Sequence, residues 1–172
     1  MKLFTDKKEF IEVLKENKKI LYKVLYAYCQ NPEDRKDLEQ EIIIQLWKSM
    51  KSYNGTAKLS TWIYRVAMNV AISYYRNDLK RSSGLSPIEE HVFYLADEES
   101  STELLDERKQ HLRRFINQLD ELNKAIMVLY LEDCSYQEIS EIVGISPSNV
   151  GTKINRIKIK LKEYFTQISN SI

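Results

Sequence analysis

The stretch SYQEISEIVGISPSNVGTKINR, residues 135–156, decides the fold of the C-terminal part of this chain. Ser135 and Glu138 have the spacing of a capping box, which predicts that a helix begins there. Gly144 can adopt the left-handed conformation that ends a helix. The Ser-Pro pair that follows can cap and open a second helix, because proline is tolerated at the first helical position. Two short helices joined by a tight glycine turn form a helix-turn-helix.

The second helix of this motif separates an apolar stripe from a polar face. The apolar residues recur at spacings of four, three and four; they are Val150, Ile154, Ile157 and Leu161. The polar face carries Ser148, Asn149, Thr152, Lys153, Asn155 and Arg156. Short polar side chains and cations suit base edges and phosphates in a major groove, so we expect a DNA-reading helix. The alternative is a bundle helix with a solvated polar face. Ile159, in the middle of that face, suggests a protein contact.

Length and composition bound the class of protein. A chain of 172 residues allows one domain or two small ones. Four glycines and three prolines favour helices over hairpins. The net charge is only +1, but residues 1–81 carry 16 Lys/Arg against 10 Asp/Glu and residues 82–120 carry 4 against 9. Basic blocks around an acidic middle can present phosphate-facing surfaces despite the low net charge.

Cysteines, histidines and apolar runs argue against several kinds of site. Cys29 and Cys134 lack the neighbours of a metal motif, so we expect buried, reduced thiols. His91 and His111 lie in polar surroundings, and we expect no metal or cofactor at either. The longest apolar run, residues 125–131, is far shorter than a membrane span, and no signal peptide is expected. We therefore expect a cytoplasmic protein. With no nucleophile–base pair or phosphate loop, we expect neither enzymatic activity nor a small-molecule substrate.

The periodicity of the remaining sequence predicts an all-α protein with two small helical domains. Helices are expected over residues 7–30, 32–50, 61–80, 103–118 and 123–131, with a loop at 53–58. The first domain is expected at residues 5–81, a flexible acidic linker at 82–106, and the helix-turn-helix domain at 107–168.

The helix over residues 32–50 has an exposed face of mixed composition. Its apolar stripe leaves Asp37, Glu41, Ile44 and Lys48 together on the opposite side. An isoleucine exposed among acidic residues suggests docking against another protein. The alternative is a face that is simply solvated.

The helix over residues 61–80 combines cations with an indole. Its core stripe is expected to consist of Ile63, Val66, Ala67, Val70 and Tyr74. The opposite side carries Arg65, Asn69, Ser73, Arg76 and Lys80, with Trp62 on the same flank. Stacking a base on an aromatic ring is worth about 1–3 kcal/mol, which can offset the cost of extruding it from a duplex. This surface therefore fits a nucleic-acid strand; the alternative is that Trp62 packs into the core and the cations only aid solubility.

Three motifs in this order resemble the bacterial sigma-70 family, and most closely its compact extracytoplasmic-function group. They are DLEQEI at residues 37–42 with Trp47, STWIYRVAMN at residues 60–69, and the helix-turn-helix. The resemblance covers residues 5–165. It implies an alternative sigma factor, a dissociable subunit that binds core RNA polymerase and directs it to promoter DNA.

The resemblance also implies roles for individual residues. Asp37, Gln40 and Glu41 correspond to contacts with the polymerase clamp, which explains the exposed Ile44. The implied contacts to the melted −10 element are Asn54, Lys58, Trp62, Arg65, Asn69 and Arg76. The implied contacts to the −35 element are Ser148, Asn149, Thr152, Lys153 and Arg156, with Asn155 on the same face. In this family the acidic linker runs through polymerase channels. An anti-sigma factor, which could hold the protein at the membrane, is expected by analogy.

Departures from the family pattern concern DNA reading. Leu59 stands where an aromatic residue is common, and Gly151 where lysine is common. A glycine inside a helix costs about 1 kcal/mol relative to alanine. Gly151 either allows close approach to the DNA backbone or weakens one contact. Because the chain begins almost at its first helix, we expect no acidic N-terminal segment of the kind that blocks DNA binding in housekeeping members. The two alternative functions are a repressor or activator with a helical sensor domain and a helical adaptor between proteins.

Overall fold

The structure is a computed structural model, and it describes residues 6–29, 31–82 and 103–170. Those residues form helices and the turns that join them, with no strand among them. The chain divides into two compact units, Met1–Pro87 and Ile88–Ile172. The predicted all-α class is therefore confirmed. Most of the predicted linker, together with His91, lies outside the described residues.

The first unit is built from four described helices and a short 3₁₀ turn. They are α1 (Lys7–Glu16), α2 (Lys18–Tyr28), α3 (Pro32–Ser49), the 3₁₀ turn Met50–Ser52, and α4 (Leu59–Ser82). Both α2 and α3 pack along α4. Their apolar stripes form one core, whose most deeply buried side chains include Val24, Leu38, Ile42, Leu46, Ile63 and Met68. Burying each such side chain stabilises the fold by about 1.5–3 kcal/mol.

The start of α3 shows how local sequence fixes a helix. The Asn31 side-chain oxygen accepts a hydrogen bond from the Glu33 amide at 2.9 Å, and Pro32 occupies the first turn. Glu33 and Asp34 add negative charge at the positive end of the helix dipole. The helix that begins there presents the predicted buried stripe toward α4.

The single helix predicted over residues 7–30 is wrong, because the chain breaks at Asn17. There the backbone leaves helical geometry, with φ −108° and ψ 15°. The backbone amide and the side-chain amide of Asn17 both donate to the Val13 carbonyl, at 3.1 and 2.9 Å, and cap the end of α1. The apolar rhythm continues across the break, so periodicity alone did not reveal it.

The apolar stripe predicted on α4 is partly wrong. Ile63 and Ala67 are buried as expected, but Val66, Val70 and Tyr74 are only half-buried. The buried face also includes Tyr64, Met68 and Ala71. Because α2 and α3 both pack on α4, the buried face of α4 is rotated relative to the predicted stripe and is wider than it.

The second unit contains α5 (Glu103–Asn117), α6 (Glu121–Leu131), α7 (Tyr136–Val143) and α8 (Pro147–Ser169). α6, α7 and α8 pack against one another, and α5 packs on α6 and α8. The core includes Ile116, Ile126, Leu129, Ile139, Val150 and Ile154. Since α5 begins at Glu103, residues 103–106 of the predicted linker are helical.

The two cysteines differ in environment. Cys29 is buried, as predicted, and its burial raises the pKa of the thiol to about 11. The thiol is therefore protonated and unreactive at neutral pH. Cys134 is only half-buried, so the prediction of burial is wrong there. It follows α6 in a turn near the surface.

Candidate nucleic-acid interface

The helix-turn-helix has the local geometry that its sequence predicts. The Ser135 amide donates to Glu138 Oε2 at 2.9 Å, and the Glu138 amide donates to Ser135 Oγ at 3.1 Å, which completes the capping box. Gly144 ends α7 with φ 78°, in the left-handed region that favours glycine. At the start of α8 the Asn149 amide donates to Ser146 Oγ at 3.2 Å. These features set where α7 begins and ends and where α8 begins.

The exposed face of α8 carries the predicted polar residues. Ser148, Asn149, Thr152, Asn155 and Arg156 are exposed, and Lys153 is half-buried. Val150, Ile154 and Ile157 are buried on the opposite side and hold the helix to the core. Ser148 and Arg156 are eight residues apart, a rise of about 12 Å along the helix. An α-helix is about 10–12 Å in diameter with its side chains, which fits a DNA major groove about 12 Å wide.

Positive charge extends along α8 beyond this face. Residues 145–162 include five cations and no anion; the cations are Lys153, Arg156, Lys158, Lys160 and Lys162. Lys158 Nζ donates to Tyr130 Oη at 2.7 Å, and this hydrogen bond raises the pKa of the lysine. The helix is therefore a positively charged surface at any physiological pH. Ile159 is 60% exposed on the same face, as its position predicts.

Gly151 is explained by a contact within the protein. A Cβ atom at this position would lie 3.3 Å from Cε2 of Tyr136, whose ring covers the glycine from the start of α7. The absence of a side chain at Gly151 therefore makes room for the Tyr136 ring, and α7 can approach α8 closely there. Sequence reasoning missed Tyr136, although a tyrosine in the first turn of α7 opposite a helical glycine was a usable signal.

On α3 the predicted docking face is exposed. Asp37, Gln40 and Glu41 are exposed, and Ile44 is 53% exposed beside them. Trp47, one turn further on, is 42% exposed, with its ring centroid 5.0 Å from that of Phe10. Two large apolar side chains thus lie among acidic ones, a composition typical of a protein-binding surface.

The outer face of α4 carries the polar residues that the sequence placed there. Asn69, Ser73 and Arg76 are exposed, and Arg65 is half-buried. The side chain of Lys80 lies outside the described residues. The described members still combine an amide, a hydroxyl and two guanidinium groups, which can contact phosphates and base edges.

Of the two alternatives given for Trp62, the structure has the one in which the indole packs into the core. Trp62 does lie on the polar flank of α4, but it is only 5% exposed. The loop before α4 accounts for this, because the ring of Tyr53 lies over the indole with centroids 5.1 Å apart. A base cannot stack on Trp62 in this conformation. The helical wheel gave the direction of the side chain correctly but could not show what covers it.

The loop at residues 53–58 is held by its own hydrogen bonds. Tyr53 Oη donates to the Ala57 carbonyl at 2.8 Å. The Asn54 side-chain oxygen accepts from the amide and the hydroxyl of Thr56 at 3.1 and 2.7 Å. Gly55 adopts φ 76° between them. Asn54 and Lys58 are exposed on this ordered loop, next to the first turn of α4.

Lys124 is a buried cation that sequence reasoning missed. It is 3% exposed on α6, and Nζ donates to Asn117 Oδ1 of α5 at 3.1 Å. Burial lowers the pKa of this lysine to about 8. Its position beside three apolar residues of α6 was a signal that could have placed it inside. This hydrogen bond from Lys124 joins α6 to α5.

The described ranges hold neither a metal cluster nor a membrane-spanning helix. Among these residues there is no group of three or more His, Cys, Asp or Glu side chains that could hold a metal ion. Over the same residues, no helix is long and apolar enough to cross a membrane.

Comparisons with known proteins fit this arrangement of surfaces. Residues 13–81 match the family description Sigma-70 region 2, and residues 109–161 match Sigma-70, region 4. The ECF RNA polymerase sigma-E factor of Escherichia coli is 32% identical over 134 residues, which cover 73% of this chain and 70% of that protein. The chain belongs to the sigma-70 family. It is a sigma factor of the extracytoplasmic-function (ECF) group, as the resemblance predicted.

Other relatives support the same membership across more of the chain. The RNA polymerase sigma factor YlaC of Bacillus subtilis is 27% identical over 145 residues, which cover 83% of this chain and 84% of that protein. The structure of the sigma factor RpoE in complex with the anti-sigma factor NepR from Bartonella quintana has a TM-score of 0.67. The match covers 93% of this chain and 96% of the RpoE chain, with 18% sequence identity. This likeness shows that the sigma-factor fold is shared.

Proposed function

We propose that this ECF sigma factor brings core RNA polymerase to promoters by dividing three tasks among three exposed surfaces. The docking face of α3 binds the core enzyme. The outer face of α4, with the loop at residues 53–58, binds the opened −10 strand. The polar face of α8 reads the −35 duplex. The protein has no reaction of its own, and it acts in the cytoplasm.

The observation that carries this proposal is the charge and shape of α8. A capped helix with an exposed polar face fits a major groove by its diameter of about 10–12 Å, and its cations suit the flanking phosphates. Asn149 and Arg156 offer the amide and guanidinium groups that make bidentate contacts to adenine and guanine. The adjoining Ser148, Thr152, Lys153 and Asn155 complete the proposed −35 contact set.

For the −10 element, the proposal relies on α4 and its loop. Asn69, Arg65 and Arg76 can hold phosphates and base edges of a single strand. Asn54 and Lys58 are exposed on a loop that is already ordered, so binding a flipped base there costs little conformational entropy. Trp62 supports this loop from beneath through Tyr53, and we assign it a positioning role.

For the polymerase, the proposal relies on the mixed face of α3. The carboxylates of Asp37 and Glu41 provide charge, Gln40 provides hydrogen bonds, and Ile44 with Trp47 provides apolar area. Aromatic and aliphatic anchors within a polar rim are the residues that dominate protein–protein affinity. In the free protein this surface remains partly exposed to solvent.

An anti-sigma factor is proposed as the regulator. In one structure of similar fold, RpoE is in complex with the anti-sigma factor NepR, and in another CnrH is in complex with the cytosolic domain of CnrY. A protein that covers the α3 or α8 surface of this chain would block polymerase or promoter binding. If that partner is a membrane protein, it would keep the sigma factor at the membrane until its release.

Association with core polymerase separates this proposal from its main alternative. The purified chain, mixed with core enzyme, is expected to co-elute with it in size-exclusion chromatography. The complex should then bind a promoter fragment that core enzyme alone does not select. An ordinary repressor would instead remain apart from the polymerase and bind duplex DNA by itself, and that result would refute the proposal.

A further inference from the structure

The outward face of α2 is basic and aromatic, and the functions proposed above do not use it. The helix Lys18–Tyr28 contains three lysines and no acidic residue. Lys18 and Lys19 are exposed and Lys23 is half-buried. Tyr22 is 40% exposed in the same face. The apolar stripe that packs the helix into its core lies on the opposite side.

Two tyrosines and an arginine on this face form a three-layer stack. The rings of Tyr22 and Tyr26 have centroids 4.0 Å apart and planes inclined by 33°. The guanidinium carbon of Arg35 lies 3.8 Å from the centroid of Tyr26. Arg35 is itself held in place, because its Nε donates to the Cys29 carbonyl at 3.1 Å. The order of the layers is therefore Arg35, Tyr26 and Tyr22, with Tyr22 the most exposed.

The lysines lie where the stack would be extended. Residues three and four positions apart are neighbours on a helix surface, so Lys18 and Lys19 lie one turn before Tyr22. A planar ring added beyond Tyr22 would continue the stack toward these two ammonium groups. The nearest acidic residues in the sequence, Glu16 at the end of α1 and Glu33 at the start of α3, lie outside this helix.

We propose that this face, Lys18, Lys19, Tyr22, Lys23 and Tyr26 with Arg35, binds single-stranded nucleic acid. A base stacks on Tyr22, and its neighbouring phosphates contact Lys18 and Lys19. Stacked aromatic rings beside cations are the combination by which proteins hold single strands without sequence preference. An acidic polypeptide would use the lysines but not the ring faces. The site is distinct from the proposed −10 surface on α4 and does not depend on it.

Binding of a fluorescein-labelled oligothymidine of about 12 nucleotides to the full-length chain tests the proposal. Tyr22→Leu is expected to weaken binding by at least about five-fold, whereas Tyr22→Phe, which keeps the ring, should bind within about two-fold of the wild type. Lys19→Gln should lower the slope of log affinity against log salt by about 0.7, the loss of one phosphate contact. Lys8→Gln on α1 removes the same charge and should leave the slope unchanged.

Two further measurements distinguish this face from the −10 surface and locate the bound strand. Tyr22→Leu should have the same effect in an Arg76→Gln chain, so the result stands even if the proposed −10 surface fails. Photocrosslinking with 4-thiothymidine should label peptides within residues 18–28. Equal affinities of the Leu and Phe variants at position 22, or crosslinks confined to other segments, would overturn the proposal. Competition by polyglutamate as strong as that by oligothymidine would instead indicate an acidic protein partner and also overturn it.

Discussion

Replacing Lys124 by methionine should stabilise the second unit, although it removes a hydrogen bond. Lys124 is 3% exposed, and burial lowers the pKa of its ammonium group from 10.5 to about 8. A shift of this size corresponds to roughly 3 kcal/mol of penalty on the charged form. Losing the bond that this charged group makes to Asn117 costs about 1.5 kcal/mol, the lower end of the range for charged groups. Methionine fills a similar volume, so we expect a net gain of about 1–2 kcal/mol at pH 7.

The stabilisation by Lys124→Met should decrease at high pH. Between pH 8 and 10.5 the unfolded chain binds more protons at Lys124 than the folded chain does, so the lysine's destabilising effect diminishes as the pH rises through this range. Below pH 8 the penalty is complete. The difference in unfolding free energy between variant and wild type should therefore be constant up to about pH 8 and shrink above it.

The chain supplies an internal control for the assay. Its two tryptophans, Trp47 and Trp62, both lie in the first unit, so tryptophan fluorescence reports on that unit during urea unfolding. Far-UV circular dichroism follows helices of both units. Lys124→Met should raise the midpoint of the dichroism change assigned to the second unit and leave the fluorescence midpoint in place. Lys160→Met, an exposed lysine of α8, should change stability by less than about 0.5 kcal/mol.

A destabilised Lys124→Met chain at pH 7 would refute this reasoning. So would a stabilisation that stays the same from pH 7 to pH 10, because it would show that the gain has another origin than removal of a buried charge. Either result would mean that the ammonium group of Lys124 is better solvated than its burial indicates.

Three further predictions address function. Ile44→Lys should weaken binding to core polymerase at least about ten-fold, since it puts a charge in the centre of the docking face; unchanged affinity in a competition assay with wild-type chain would contradict this. Arg156→Ala should cost about 1–3 kcal/mol in binding of the polymerase complex to −35 duplex DNA, measured by gel shift; equal binding would remove Arg156 from the contact set. Asn69→Ala should leave closed-complex affinity within about two-fold but reduce permanganate reactivity of −10 thymines; wild-type reactivity would exclude it.

The C-terminal fold could be predicted because its signals are local. The capping box at Ser135, the left-handed Gly144 and the Ser146 cap each depend on a few neighbouring residues, and all three have the predicted geometry. The polar face of α8 could be predicted because the spacing of its apolar residues indicates which side of the helix is buried. Which bases it reads depends on atoms outside the chain.

In the first unit, the sequence patterns failed where a contact changes what the pattern predicts. A helical wheel placed Trp62 on the polar flank, but the side chain of Tyr53 in the preceding loop covers it. Periodicity continued across Asn17, whose side chain ends α1 by bonding to Val13. At Trp62 a tertiary contact, and at Asn17 a side-chain contact, changed the outcome although the helical wheel and the apolar periodicity were read correctly.

Contacts between distant residues explain the remaining omissions. Both alternatives predicted for Gly151 concerned DNA, whereas the contact in the structure is with the ring of Tyr136, fifteen residues earlier. Lys124 of α6 is buried where it donates a hydrogen bond to Asn117 of α5. Neither pairing has a fixed spacing in the sequence, so the local signals at Tyr136 and Lys124 did not identify the partner of either.

Transcription from genomic templates with purified components tests the central claim most directly. Core RNA polymerase is combined with this chain, and the 5′ ends of the products are mapped. Addition of the chain should yield RNA that starts at defined sites, each preceded by one shared pair of sequence elements, and a chain with Ile44→Lys and Asn69→Ala together should lose these starts. Products whose 5′ ends are the same with and without the chain would contradict the account.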